Sequence, residues 1–295
     1  MTVEPPCFIG PPRLVFRRAE EKLLRRRTQP PDMRGAVSTA LAEALCGDPA
    51  PAAAVAAGRA IAATVTAYAA TFAPASEPAY HDQRHQAEAT VAMGWLCGRA
   101  RHLRLLAPES AIEGVLAMAG HDLQHDGSWP SPGVLETRSA ELTATLGAQA
   151  GLEAPALATI RRVILATDPF RTQAERDADD LLCRLAQEAD VFGSLTPELG
   201  WQLSHALARE ADAAGHRFEP PVASFAGRLA LLRQQRPATQ AGQELGLGAA
   251  VADQIAATAA FGDGDAEQGA ARLDALPVAH ARADYMAVLA AMASQ

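Results

Sequence analysis

The chain has 295 residues, 49% of them hydrophobic and 20% charged, enough to bury a sizeable core as one large domain or two small ones. Its formal net charge of -8 excludes a general affinity for nucleic-acid polymers or anionic membranes, because such binding needs a surplus of Lys and Arg. A small anionic substrate would have to meet cations placed locally.

Residues 1–35 read as an N-terminal extension, partly disordered or loosely packed. Proline-rich ends flank a basic, helix-like piece, Arg13 to Arg27, that carries the only lysine, Lys22. Its base-rate reading is a solvated terminus; the alternative is a docking arm for an acidic partner or a phosphate. The first ten residues hold Glu4, Pro5 and Pro6 instead of a basic stretch and an apolar run, so no secretory signal is expected.

From residue 36 to 295 nearly every segment reads as helix, with apolar residues at three- and four-residue intervals and almost no period-two alternation. The expected fold class is all-α, a single multi-helix domain whose motif core spans residues 80–192. Ala52 to Ala73 is alanine-dominated and interrupted by Arg59 and threonines, and does not read as a membrane span. Ser110 with Glu113 predicts a capping box for a helix that ends at His121 and Asp122. Further helices are expected from Val134 to Gly151, Pro155 to Thr167, Asp177 to Phe192 and Pro197 to Gly215, with about four more beyond Pro220. Phe261 to Asp265 lacks the acidic ligands of a calcium loop and reads as a turn.

Three segments carry chemistry. Tyr80-His81-Asp82-Gln83-Arg84-His85 and His121-Asp122-Leu123-Gln124-His125 each hold a histidine pair at a spacing of four, which on a helix puts both rings on one face. Glu188-Ala189-Asp190 follows in a late apolar helix. His85, His121, Asp122 and Asp190 supply two imidazoles and two carboxylates, a ligand set for zinc, iron or manganese at one position. Asp122 is the natural bridge to a second, oxygen-rich position suited to magnesium or manganese. A pair of such ions lowers the pKa of a shared water and clamps phosphate oxygens. His102, His205, His216 and His280 are read as ordinary surface or core histidines.

Other enzyme classes lack their residues. A single lysine leaves Schiff-base catalysis and the phosphate-binding loop without a candidate in the body of the chain, and neither a GxSxG elbow nor a GxGxxG turn is present. Cys7, Cys46, Cys97 and Cys183 form no CxxC pair, which argues against a thiolate zinc site or a disulfide framework and suits a reducing, cytoplasmic compartment.

The ordered motifs resemble the HD superfamily of metal-dependent phosphohydrolases, and within it most resemble the class I cyclic-nucleotide phosphodiesterase catalytic domain. Tyr80, His81 and His85 match the family's tyrosine-histidine-asparagine motif, with Asp82 in place of the asparagine. His121, Asp122, His125 and Gly127 match its histidine-aspartate motif. Leu135-Glu136, Ile164 to Asp168 and Ala189-Asp190 follow in the family's order. The resemblance implies that His85, His121, Asp122 and Asp190 bind the tighter of two divalent ions, that Asp122 bridges to the second, and that His81 is the general acid. It gives His125 and Glu136 to metal-bound waters, and Tyr80, Asp82 and Phe225 to the substrate.

The chain also departs from that pattern. Arg138 and Ser139 stand where the family has two histidines after Glu136, and Val222 stands where its purine-selecting glutamine would precede Phe225. The expected activity is therefore hydrolysis of a cyclic nucleotide or related small phosphodiester. A nucleotidase or phosphomonoesterase, or a catalytically silent regulatory module, are the alternatives. An HD-type di-iron oxygenase ranks below them, because residues 127–189 contain no histidine. The expected partner is a small phosphate ester, with a homodimer left open and neither nucleic-acid polymer nor membrane involved.

Overall fold

The computed structural model describes residues 10–73 and 76–292, so Cys7 lies outside the described residues. Among these residues the chain forms fifteen α-helices and no strand, an all-α domain as the apolar periodicity predicts. The first five are α1 (Pro12–Arg27), α2 (Met33–Ala44), α3 (Ala52–Ala69), α4 (Gln83–His102) and α5 (Pro108–Ala119). Then come α6 (Val134–Gln149), α7 (Ala154–Leu165), α8 (Gln173–Asp177), α9 (Leu181–Val191) and α10 (Pro197–Ala213). The C-terminal five are α11 (Phe225–Gln234), α12 (Gln240–Glu244), α13 (Leu247–Ala260), α14 (Ala266–Asp274) and α15 (Val278–Met292).

Helix α4 is the axis of the fold. It is buried on every face from His85 to Gly98, as a helix must be when other helices surround it, and it packs on α2, α5 and α9. Its closest neighbour is α2. A Cβ on Gly94 would stand 2.5 Å from the Cα of Ala40, and one on Gly98 would stand 2.4 Å from the carbonyl oxygen of Glu43. The two glycines, one turn apart, let the backbones touch.

The N-terminal expectation needs correction. Helix α1 is part of the core: Val15, Phe16, Ala19 and Leu23 are buried, and Phe16 meets Phe192 with ring centroids 5.2 Å apart. These four recur at helical spacing beneath the arginines, an apolar stripe that the basic composition masked. The charges are used inward as well. Arg27 pairs with the buried Glu88 of α4 at 2.6 Å, and Arg84 donates to the carbonyls of Arg27 and Gln29.

Several boundaries also moved. Helix α5 begins at Pro108, with no capping box at Ser110, because a proline at the first position has its φ preset and lacks the N–H that a cap would satisfy. The expected helix from Asp177 is split, since the Asp180 side chain accepts from the Cys183 N–H and starts α9 there. Residues 261–264 form the expected turn, and Asp265 caps α14.

Helix α3 is long and apolar enough, by length and composition, to cross a membrane. Here it lies against α2, α5 and α6 with Ala57, Ile61 and Val65 buried.

A second core joins α10 to the C-terminal helices through Trp201, Phe225, Leu229, Leu273 and Tyr285. Arg228, 2% exposed, binds it to the loop after α9. It donates to the carbonyls of Ser194 and Thr196 and to the Gln254 side chain, and lies 5.8 Å from the Trp201 ring centre. Arg228→Ala strands those acceptors in a buried site and should cost about 3 kcal/mol in urea unfolding. A loss below about 0.5 kcal/mol, the size of an ordinary surface change, would contradict this role.

Candidate metal centre

The four expected ligands come from three elements that converge on one point. Asp82 caps α4, its side chain accepting from the N–H groups of Arg84 and His85, and thereby fixes His85 in the first turn. Helix α5 stops at Gly120, and the turn that follows delivers His121 and Asp122. A Cβ on Gly120 would collide with the Thr143 Oγ1 of α6 at 2.1 Å, so this turn is pressed against α6. Asp190 projects from the last turn of α9.

His85 Nε2 lies 3.5 Å from Asp122 Oδ2 and 3.1 Å from Asp190 Oδ1. His121 Nε2 lies 3.1 Å and 3.3 Å from the same two oxygens. Ligand atoms about 2.0–2.2 Å from a tetrahedral cation stand about 3.3–3.6 Å apart, and cis ligands of an octahedral one about 2.8–3.1 Å. The observed separations are those of four atoms facing a common centre.

Two further observations fit a cation. His121 Nε2 and Asp122 Oδ2 are buried and make no hydrogen bond despite their proximity, so they point at the space between them. The other ring nitrogen of His121 donates to the Met118 carbonyl at 2.8 Å, which leaves Nε2 as the atom that can bind a metal once its proton is displaced. His85, His121 and Asp122, with Asp190 beside them, form a group that can hold a metal ion.

The electrostatics point the same way. Burial disfavours a charged His121, yet the carboxylates of Asp122 and Asp190 outweigh it and raise the imidazole well above its ordinary value. Burial likewise opposes ionisation of the two aspartates, and His121 above all overcomes it, holding both below the usual range. Metal-free protein therefore carries a proton on His121 at neutral pH that a cation must displace. Metal affinity should rise about tenfold per pH unit until His121 titrates, as read by calorimetric titration of chelator-stripped protein. A pH-independent affinity would show that no proton leaves.

A second cluster lies alongside. His81 Nδ1 donates to Glu210 Oε1 in a close contact, while Glu210 Oε2 accepts from the backbone N–H groups of Tyr80 at 2.7 Å and His81 at 3.0 Å. Burial lowers the His81 pKa, but Glu210, Asp122 and Asp190 raise it by more. The His125 ring stacks on His81 with centroids 3.8 Å apart. Burial and the charge of His81 push His125 down to about 4, and its Nδ1 accepts from the Gly127 N–H at 3.1 Å. His125 is thus neutral with its proton on Nε2. His81, His125 and Glu210 also form a group that could hold a metal ion, with His81 Nδ1 bonded to Glu210.

Both histidine pairs depart from the expected geometry. His81 precedes α4 and His125 lies beyond α5, so neither pair shares a helical face. The rings meet because the chain turns, with Gln124 at a φ of 63°.

The centre opens into a cavity of about 450 Å³ lined by Tyr80, His81, Asp122, His125, Glu136 and Asp190, with Trp129, Phe170, Phe218 and Val222 on its apolar walls. Burial and the carboxylates of Asp168, Asp122 and Asp190 raise the Glu136 carboxyl. Tyr80 is buried over His85, ring centroids 4.6 Å apart, with its hydroxyl 3.0 Å from Ser194 Oγ. Two expected substrate contacts are absent. Asp82 is the α4 cap and does not line the cavity, and Phe225 is 4% exposed in the second core, stacked edge-on against Trp201 at 4.6 Å.

Glu210 escaped the sequence reading, although a signal was there. It follows Leu199, Leu203 and Ala206 on the buried stripe of α10, where a carboxylate needs a partner. No protein-family model matches the chain, and a search of curated proteins gives no match. The protein carries clustered His and Asp groups, the histidines buried, that could hold a metal ion.

Proposed function

We propose that the protein is a metal-dependent phosphohydrolase of the HD type that cleaves a small phosphodiester, cyclic nucleotides included. The convergence of His85, His121, Asp122 and Asp190 at 3.1–3.5 Å carries this reading. These four would hold a zinc, iron or manganese ion, and Asp122 would be shared with a magnesium or manganese ion. Bound there, the ions supply positive charge for the phosphate oxygens and acidify a water to serve as nucleophile at neutral pH.

The lining of the cavity supports the need for them. It contains Asp122, Glu136, Asp190 and Glu219 but neither Arg nor Lys, so the side chains alone repel a phosphate. The chain's own residues then manage protons. His81, its pKa raised and Nδ1 held by Glu210, gives the proton on Nε2 to the departing ester oxygen. His125, neutral beneath it, offers its Nε2–H to an oxygen in the cavity, and Glu136 accepts from a water. The aromatic walls around Trp129 and Phe218 take the organic part of the ester.

The test is a substrate panel on metal-reconstituted protein: cyclic nucleotides, linear diesters and monoesters side by side, each with manganese and with magnesium. Turnover of at least one diester, abolished by chelation and restored by metal, is expected. Hydrolysis of monoesters alone would favour the nucleotidase alternative, and no hydrolysis with any metal would overturn the proposal.

A further inference from the structure

A second chamber of about 410 Å³ adjoins the first. Both are lined by Thr167, Pro169, Asp190, Val191, Leu231 and Gln234, so they meet at a carboxylate of the metal centre. Their charges differ. The first presents carboxylates and no basic side chain apart from the histidines, whereas in the second Arg176, Arg184 and Arg236 stand against Asp168, Glu188 and Asp190.

These guanidinium groups are held in place mainly by backbone carbonyls, although the Arg184 charge is felt by Glu188 on the same wall. Arg184 donates to the Pro237 carbonyl at 2.9 Å, Arg176 to that of Pro169 at 2.6 Å, and Arg236 to that of Arg176 at 2.7 Å. The nearest carboxylates to Arg236 are Asp177 at 3.7 Å and Asp179 at 3.9 Å, and Asp179 is already gripped in a fork by Arg171 and bonded by Gln187. The wall carboxylate Glu188 is likewise engaged, both its oxygens accepting from Thr239. Three arginines from different segments, preset and facing one cavity, suit a phosphate, whose oxygens accept several such donors at once.

We propose that this chamber is an anion subsite, so that the substrate is a phosphodiester carrying a second phosphate, held by Arg176, Arg184 and Arg236 while the scissile phosphate lies at the metal centre. The inference rests on the phosphohydrolase reading and deepens it by naming the substrate class. The comparison that tests it uses two linear dinucleotides that differ by one group, ApA and its 5′-phosphorylated form pApA. With the full-length protein and manganese, kcat/KM for pApA should exceed that for ApA by about tenfold or more, as expected for charged hydrogen bonds to phosphate. Arg184→Gln, alone and combined with Arg236→Gln, should bring the ratio toward one, and rising potassium chloride should do the same.

A ratio near one in the wild type, or a ratio that the variants leave unchanged, overturns the inference and leaves the phosphohydrolase reading standing. If neither dinucleotide is cleaved, that reading is what fails, and equilibrium dialysis of both against chelated protein decides the subsite by itself. Tighter binding of pApA that Arg184→Gln removes supports the subsite, and equal binding of the two dinucleotides overturns it.

Discussion

Asp190→Ala should strip the protein of tightly bound metal and of turnover together while the fold survives. Asp190 Oδ1 faces both His85 Nε2 and His121 Nε2, so its loss removes one of four ligand positions and half the negative charge that opposes a cation. Bound metal contributes several kcal/mol of transition-state stabilisation, and its loss corresponds to a fall in kcat/KM of about a thousandfold or more. The helix itself has little reason to unfold, because the face of α9 that builds the core is Leu182, Leu185, Ala186 and Ala189.

Metal-free protein offers a second readout. The Asp190 pKa is depressed, so its contribution to stability is present above the ordinary carboxylate value of 3.8 and is lost as pH falls below it. The His121 pKa is raised, so its contribution is complete below the ordinary 6.5 and is lost as pH climbs through the raised value. Between those ordinary values both contributions are present, and there the variant should fall furthest below wild type. Unchanged metal content and activity would refute the ligand assignment.

His81→Asn should separate substrates by their leaving groups. With Nδ1 held by Glu210 and a raised pKa, His81 is placed to protonate a departing oxygen, a role that contributes about 10²–10⁴ in rate. A dinucleotide, which expels a ribose alkoxide, should slow by that factor. Bis(4-nitrophenyl) phosphate expels a stable phenolate and should slow by less than about tenfold. Equal losses on both substrates would make His81 a binding or structural residue.

Glu210→Gln gives the matching pH test. If His81 is the general acid proposed, kcat should decline as pH rises through its pKa. Removing the Glu210 charge lowers that pKa, so the declining limb should move to lower pH. A limb that stays where it was would break the link between the two residues.

The two histidine motifs were legible because metal chemistry restricts residue type and order along the chain, and the four proposed ligands do meet. What spacing could not tell was how they meet. A spacing of four between histidines suggests one helical face, yet Asp82 starts α4 after His81 and Gly120 ends α5 before His121, so both pairs are joined by turns. The all-α class was readable from apolar periodicity, since each helix buries a stripe whose period is local. Helix α1 was misread for the opposite reason: its arginines dominate the composition, while four apolar residues decide where it packs. Only the resemblance gives Phe225 to the substrate, and the folded chain puts it in the second core beside Trp201 and Tyr285. Glu210 lies 129 residues from His81, and only the folded chain brings them together.

The proposed chemistry requires a cation among four side chains remote in sequence. An anomalous-scattering map of manganese- or zinc-loaded crystals tests it most directly. A peak about 2.0–2.2 Å from His85 Nε2, His121 Nε2 and the carboxylates of Asp122 and Asp190 is the predicted result. A map with no density among those four groups, from protein that hydrolyses phosphodiesters fully after chelation, would contradict it.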